Sequence, residues 1–341
     1  MTLPEANTTA RISETVSAGL AARSGGRTEL APWALSIVIP CHNEEKVLQE
    51  TTTRLTAVLD SLLAKGMVKD PKVFYVDDGS TDNTWQLVER LSRQDERIHG
   101  LKLSKNFGQQ SAILAGLLCA PGDILISIDA DLQDDVNAIE EMVQAYSGGA
   151  QVVYGIRSDR TTDAFFKRAT AEWYYRLLRA MGVKLVFNHA DFRLLSRRVV
   201  EELRQCKESN LLLRGLIPHL GFRSACVYYN RQVRFAGETK YSISKMVSLA
   251  WTGITSFTEV PLKIITVIGM LVSLFSFGLG VWAFAIKLVF RLAIPGWASI
   301  VIPIYFLGGI QLLCLGVIGQ YLAKIFAETK ARPRFIVEKE L

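Results

Sequence analysis

Paired cysteines are missing from this sequence. The five present, Cys41, Cys119, Cys206, Cys226 and Cys314, are scattered without metal-binding spacing, and they read as reduced thiols in mostly apolar surroundings. A secretory leader is missing too. Residues 1–31 have no apolar core and mix Arg with Glu, Ser, Thr and Gly, so residues 1–32 are expected to form a flexible extension. There is no internal repeat and no low-complexity tract. Charge is missing where its absence says most: from Ile264 to Ile286, and again from Leu292 to Ala323, there is no Asp, Glu, Lys or Arg. Each run exceeds the roughly 20 residues needed to cross a bilayer. The sequence therefore predicts two transmembrane helices over 263–326, a hairpin turning around Lys287, Arg291, Pro295 and Gly296. Lys240, Lys245 and Lys263 precede it and Lys324, Lys330, Arg332 and Arg334 follow it, against two cations in the turn. Positive charge is retained in the cytoplasm, so an integral membrane protein with both termini and its polar part on the cytoplasmic side is expected.

What is present before the hairpin is an alternation of strand and helix patterns. Leu35–Pro40 reads as a strand, and Val47, Leu48, Leu55, Val58, Leu59 and Leu62 recur at helical spacing up to Gly66. Strands at Lys72–Val76, His99–Leu103, Ile124–Ile128 and Gln151–Gly155 alternate with helices near Trp85–Leu91, Gln109–Cys119 and Val136–Tyr146. The expected class is α/β with a mostly parallel sheet covered on both faces.

Three acidic clusters fall at predicted strand ends: Asn43-Glu44-Glu45, Asp77-Asp78, and Asp129-Ala130-Asp131. In an open α/β sheet, ligands bind in the crevice beyond the carboxyl ends of the strands. Asp129 and Asp131 place two hard oxygen donors there, which suits a divalent ion held against a diphosphate. Either Asp could instead cap the helix that follows near Val136, and Asp77 could be a turn former. Recurrence of the acidic clusters at one sheet edge favours a polar nucleotide pocket.

Taken in order, the motifs at Ile37–Pro40, Asn43–Glu45, Asp77–Ser80, Asn106–Gly108, Asp129–Asp134, Asp191–Leu194 and Arg234–Tyr241 resemble those of the polyprenyl-phosphate glycosyltransferases. That family includes the bactoprenol glucosyltransferases and, more distantly, dolichyl-phosphate mannose synthase. The resemblance runs from about Leu35 to the C-terminus. It implies a GT-A catalytic domain over 33–235, a juxtamembrane amphipathic segment over 236–262, and a cytoplasmic tail over 327–341. It also implies an inverting transfer of a hexose, glucose by analogy, from a UDP-sugar to a polyprenyl phosphate such as undecaprenyl phosphate.

The same resemblance assigns roles. Pro40, Glu44 and Asp78 match positions lining the nucleobase and ribose pocket. Asp129 matches a residue facing ribose and metal, Asp131 a direct ligand of Mg2+ or Mn2+, and Gln133 a candidate to complete the shell. Arg234 matches a cation on the donor diphosphate, and Lys240 stands in a loop that could close over the donor. Arg157 falls nearer the acceptor phosphate, with Lys167 and Arg168 as further acceptor candidates or as a solvated helix face. Asp191, with Asp131 and Arg234, is expected to be catalytic. A phosphate monoester, with a second pKa of about 6, is already mostly a dianion at neutral pH, so Asp191 could bind a sugar hydroxyl or orient Arg193 rather than remove a proton. His42, which lacks a His or Cys neighbour, suits nucleotide packing better than metal binding.

The runs Leu211–Ile217 and Ser242–Phe257 read as amphipathic helices on the lipid surface. Asp134-Asp135-Val136-Asn137 and Asn188-His189-Ala190 depart from the family pattern, and the second departure leaves the sugar open. Expected partners are a UDP-sugar, a polyprenyl phosphate, the bilayer and further copies of the chain in a homo-oligomer such as a tetramer, with Gly308, Gly309, Gly316 and Gly319 permitting close helix contact; nucleic acid is not among them. Two other readings remain at this point. A processive polysaccharide synthase is disfavoured because the sequence lacks Gln-x-x-Arg-Trp and further spans, and an inactive lipid-binding scaffold because both Asp129 and Asp131 are kept.

Overall fold

The computed structural model describes residues 32–158, 189–206, 208, 213–230, 260–285 and 297–341. Lys167, Arg168, Arg234, Lys240 and the predicted surface helix over 242–257 lie outside the described residues.

Alternation decides the sheet. In β1 (Trp33–Cys41), Leu35, Ile37 and Ile39 enter one apolar cluster and Val38 enters the other, so the strand is buried on both faces. β2 (Val68–Asp77) and β3 (Ile98–Leu103) follow in parallel register, and β4 (Ile124–Ser127) pairs with the other side of β1. The covering helices are α1 (Leu48–Ala64), α2 (Thr84–Gln94), α3 (Gln109–Cys119) and α4 (Ala138–Ser147). Each fully buried Leu or Ile contributes about 1.5–3 kcal/mol, and Leu48, Leu55, Leu59 and Leu62 of α1 are all fully buried. These elements agree with the sequence reading to within a few residues.

Beyond β5 (Val152–Arg157) come β6 (His189–Ser196), α5 (Arg197–Gln205) and β7 (Ser224–Tyr229), which periodicity did not reveal, and α6 (Leu213–His219), which falls on the expected helix over Leu211–Ile217. With β8 (Val337–Glu340) at one edge, the sheet order is β7-β5-β6-β4-β1-β2-β3-β8, and β6 is antiparallel to both neighbours. Parallel pairing is therefore interrupted at its centre. α6 corrects one expectation. Leu213, Leu216 and Ile217 are buried and join the cluster containing α3 and α5, so this part of the Leu211–Ile217 run packs in the protein core and not on lipid.

α3 lies unusually close to the sheet. A Cβ on Gly116 would stand 2.3 Å from Val38 Cγ1 and 2.8 Å from Val76 Cγ2. Gly116→Ala is accordingly expected to destabilise the domain by about 1–3 kcal/mol through overpacking, although Ala is the better helix former. Urea titration of both proteins checks this.

Two long helices follow, α7 (Val260–Ala285) and α8 (Trp297–Thr329). Among the described residues, one stretch, Phe306–Thr329, is long and apolar enough to cross a membrane, and Leu262–Val272 is a shorter apolar run. Large apolar side chains stand exposed along both helices, including Met270, Leu274, Phe275, Phe306, Leu312 and Leu315. A soluble protein rarely leaves so much apolar surface in water.

The last residues of the chain form one more strand. β8 (Val337–Glu340) pairs antiparallel with β3, covering the sheet edge. Leu341 N donates to Gly100 O at 2.8 Å, Lys339 pairs with Glu89 at 2.7 Å, and Arg334 donates to the Cys206 carbonyl. Phe335 and Leu341 pack against the two apolar clusters. The chain thus returns after α8 to the edge of the same sheet. Removal of residues 334–341 is expected to lower the melting temperature and to expose β3 to aggregation, measurable by differential scanning fluorimetry and light scattering.

Candidate active site

Three strand ends build the cleft. At the first, Asp77 and Asp78 close β2, and both are buried. Asp77 Oδ1 accepts from Ser80 N at 3.1 Å, a turn-forming contact. Asp78 reaches the next loop: its two carboxylate oxygens accept from Phe107 N at 2.7 Å and Gly108 N at 2.9 Å. Its charge is thereby tied to the entry of α3. Gly79, at φ 66, could not be another residue, since a Cβ would lie 2.6 Å from Asn106 N. His42 Nδ1 sits 3.0 Å from the Asp78 carbonyl oxygen, and Asn43 Oδ1 accepts from Thr81 N at 2.8 Å. Glu44 donates its backbone N–H to Thr84 Oγ1 at 2.9 Å, and Pro40 ends the buried run of β1. Pro40, Glu44 and Asp78 thus fall at the neighbouring ends of β1 and β2, with Asp78 N donating to the Cys41 carbonyl at 2.9 Å.

At the second end, Asp129 and Asp131 follow β4. Thr51 of α1 holds the loop by donating to the Ala130 carbonyl at 2.9 Å. Leu132 adopts φ 57, a left-handed conformation that costs a non-glycine residue about 1–2 kcal/mol. That turn lets Gln133 N donate to Asp131 Oδ1 at 3.2 Å. The Gln133 side chain is itself buried. The helix-cap reading does not hold for Asp129 or Asp131: α4 begins at Ala138, and Asp135 Oδ1 is what accepts from Asn137 N, at 3.0 Å.

Asp129 is pushed up to about 7, by withdrawal from water first and then by the charges of Asp191, Asp134 and Asp131, with Arg157 partly offsetting them. The folded protein thus keeps a proton that the unfolded chain releases near pH 3.9. For this group, stability is greatest at low pH and is lost as pH rises from about 4 to 7. Asp129→Asn is expected to be more stable than the wild type at pH 8 and little changed at pH 4, as read from metal-free thermal melts.

The third end is β6. Asp191 is 3% exposed and Arg193 is fully buried, and the two form an ion pair. Arg214 of α6 adds a fork, Nε to Asp191 Oδ1 at 3.2 Å and Nη2 to Oδ2 at 3.1 Å, and Gln110 Nε2 donates to Oδ2 at 3.1 Å. Ser127 fixes the backbone by donating to the Asp191 carbonyl at 2.6 Å. The Asp191 carboxylate is thus held by two guanidinium groups and one amide. Beside it, Arg157 is bound to buried Asp134 through Nε at 3.0 Å and Nη2 at 2.7 Å, with Tyr229 Oη donating to the same oxygen at 2.6 Å. Burial alone would lower the Arg157 pKa, but the Asp134 charge more than reverses it.

Sequence reasoning missed Arg214, Gln109, Gln110 and the Asp134–Tyr229 partnership. Arg214 was visible as the lone charge in an apolar run, and the glutamines as the residues just past Asn106-Phe107-Gly108.

A doubly covered sheet with acidic turns beyond β1, β2 and β4 is the architecture of a GT-A nucleotide-sugar glycosyltransferase. Residues 36–204 match the family described as Glycosyl transferase family 2. The chain is 48% identical over 310 residues to the Bacillus subtilis glycosyltransferase YkoT, covering 90% of this chain and 92% of that one. It is 38% identical over 308 residues to the prophage bactoprenol glucosyl transferase homolog of Escherichia coli, covering 89% and 98%. The bactoprenol glucosyl transferase of Shigella phage SfV is likewise 38% identical, over 309 residues covering 90% and 98%. The chain belongs to glycosyl transferase family 2 and, within it, to the bactoprenol glucosyltransferase-like proteins.

Proposed function

We propose that this protein transfers a hexose, glucose by analogy with its relatives, from a UDP-sugar to the phosphate of a membrane-bound polyprenyl carrier. The observation that carries the reading is the placement of Asp129 and Asp131 at the carboxyl end of β4, beside Asp191 on the adjoining strand. The relatives named for bactoprenol support the acceptor, and the apolar surfaces of α7 and α8 support a two-helix anchor. We assign the polar domain and both chain ends to the cytoplasmic side from the balance of Lys and Arg around the hairpin.

Asp129 and Asp131 fit a hard divalent ion, Mg2+ or Mn2+: both offer carboxylate oxygens at one strand end, where burial first and the neighbouring carboxylates Asp191, Asp134 and Asp131 second disfavour an uncompensated charge on Asp129. Among the described residues no three His, Cys, Asp or Glu side chains gather as a ligand set, and Asp129 and Asp131 are the two side chains that would hold the ion. When bound, the ion supplies Lewis-acid stabilisation to the departing nucleoside diphosphate. The protein's own part is placement. Gln133 N and the Leu132 turn aim Asp131, while Asp78 fixes the loop that walls the nucleoside side. The acceptor phosphate arrives already ionised, so no side chain need take its proton. Asp191 therefore serves to hold Arg214, which is 43% exposed, toward the acceptor side. Arg157, Lys167 and Arg168 stay acceptor-side candidates, and Arg234 and Lys240 donor-side ones; Arg157 reaches that role only with two nitrogens already on Asp134.

Purified protein in detergent, given UDP-[14C]glucose and undecaprenyl phosphate, is expected to make a labelled lipid with Mn2+ or Mg2+ and none with EDTA. Labelling that persists in EDTA would remove the metal from the account.

A further inference from the structure

Two consecutive glutamines open α3, and their side chains reach different strand ends. Gln109 Nε2 donates to Asp129 Oδ1 at 2.7 Å. Gln110 Nε2 donates to Asp191 Oδ2 at 3.1 Å, while its Oε1 accepts from Leu213 N at 3.2 Å. The orientation of the Gln110 amide follows from chemistry: a backbone N–H only donates and a carboxylate only accepts, so oxygen must face Leu213 and nitrogen must face Asp191. One side chain thus joins α3, β6 and the first residue of α6, which is the residue before Arg214. Leu213 is fully buried, and the Gln110 contact satisfies its backbone donor.

The helix that carries this pair is fixed from both ends. At its start, Gly108 adopts φ 91, and the Asp78 carboxylate takes the N–H groups of Phe107 and Gly108. Further along, Gly116 lets the helix settle onto Val38 and Val76. A polar side chain rooted on a helix held at both ends can set the position of what it touches.

We propose that Gln109 and Gln110 are a positioning pair that holds Asp129, on the donor side, and the Asp191–Arg214 pair, on the acceptor side, at one fixed separation. The proposal rests on the sugar-transfer reading above, and it makes the first turn of α3 the link between the two substrates. Neither glutamine touches a reacting atom; each acts through a carboxylate.

The test is a double dissociation in the full-length protein. Gln109→Ala is expected to raise about tenfold the Mn2+ concentration that half-saturates the UDP-dependent thermal shift, leaving the KM for undecaprenyl phosphate unchanged. Gln110→Ala is expected to do the reverse, raising that KM about tenfold with the Mn2+ response unaltered. Gln110→Glu keeps the shape and the acceptor facing Leu213, yet sets an anion against Asp191, so it is expected to be worse than Gln110→Ala. If Gln110→Ala melts early, Gln110→Met, which fills the same space without hydrogen bonds, carries the same comparison. The proposal is overturned if each variant moves both parameters together, if neither variant moves either, or if Gln110→Glu keeps the wild-type KM. A wild type that labels no lipid would instead sink the sugar-transfer reading.

Discussion

Asp131→Asn is expected to reduce sugar transfer by about 10³-fold, the equivalent of about 4 kcal/mol of transition-state stabilisation, while melting close to the wild type. The carboxylate is partly exposed, and the contact it makes with Gln133 N can be kept by the amide oxygen of Asn. Folding is therefore little affected. The amide cannot match a carboxylate as ligand to a hard cation, so the loss falls on the leaving diphosphate. UDP is expected to protect the wild type from thermal unfolding when Mn2+ is present and to protect the variant little. If Asp131→Asn kept near-normal turnover, the metal assignment would have to move to other residues.

Asp191→Ala is expected to inactivate for a different reason. The substitution leaves Arg193 fully buried without its carboxylate and removes the anchor of Arg214. Breaking a buried pair by deleting one partner costs about 3–5 kcal/mol, because the remaining charge cannot return to water. For a domain of this size that is a fall in melting temperature of roughly 10 °C. Loss of activity in this variant alone would not identify a catalytic base. Arg214→Ala is the cleaner probe, since Arg214 is half-exposed and its loss leaves Asp191 still paired with Arg193. It is expected to melt near the wild type and to bind UDP with Mn2+ normally, yet to transfer poorly. Equal losses of stability in the two variants would contradict this division of roles.

The first five strands and four helices were legible because each carries a local signal: period-2 alternation in β1, helical spacing in α1, and turn chemistry at Asp77–Ser80. Asp129 and Asp131 were legible at the end of β4 for the same reason, as two Asp closing an apolar run. β6 was not, since its sequence, His-Ala-Asp-Phe-Arg-Leu-Leu-Ser, puts two charges in a central strand. Those charges are tolerable only because Asp191 and Arg193 neutralise each other and Arg214 and Gln110 complete the set from elsewhere in the chain. Long-range pairing of that kind leaves no periodic trace. β8 was hidden differently: Val-Glu-Lys-Glu is short, charged and exposed, which is how an edge strand avoids aggregation and also how a tail looks. α6 was misread because an apolar run with one Arg suits a lipid surface as well as a core with one buried carboxylate to meet.

The most direct test of sugar transfer to a lipid phosphate is a product assay on the full-length protein in vesicles containing undecaprenyl phosphate. The vesicles are supplied in turn with radiolabelled UDP-glucose, other UDP-sugars and GDP-mannose, each with Mn2+. A butanol-extractable, acid-labile lipid labelled from UDP-glucose, absent with EDTA and absent for Asp131→Asn, is the predicted result. No labelled lipid from any UDP-sugar, with UDP binding intact, would contradict it.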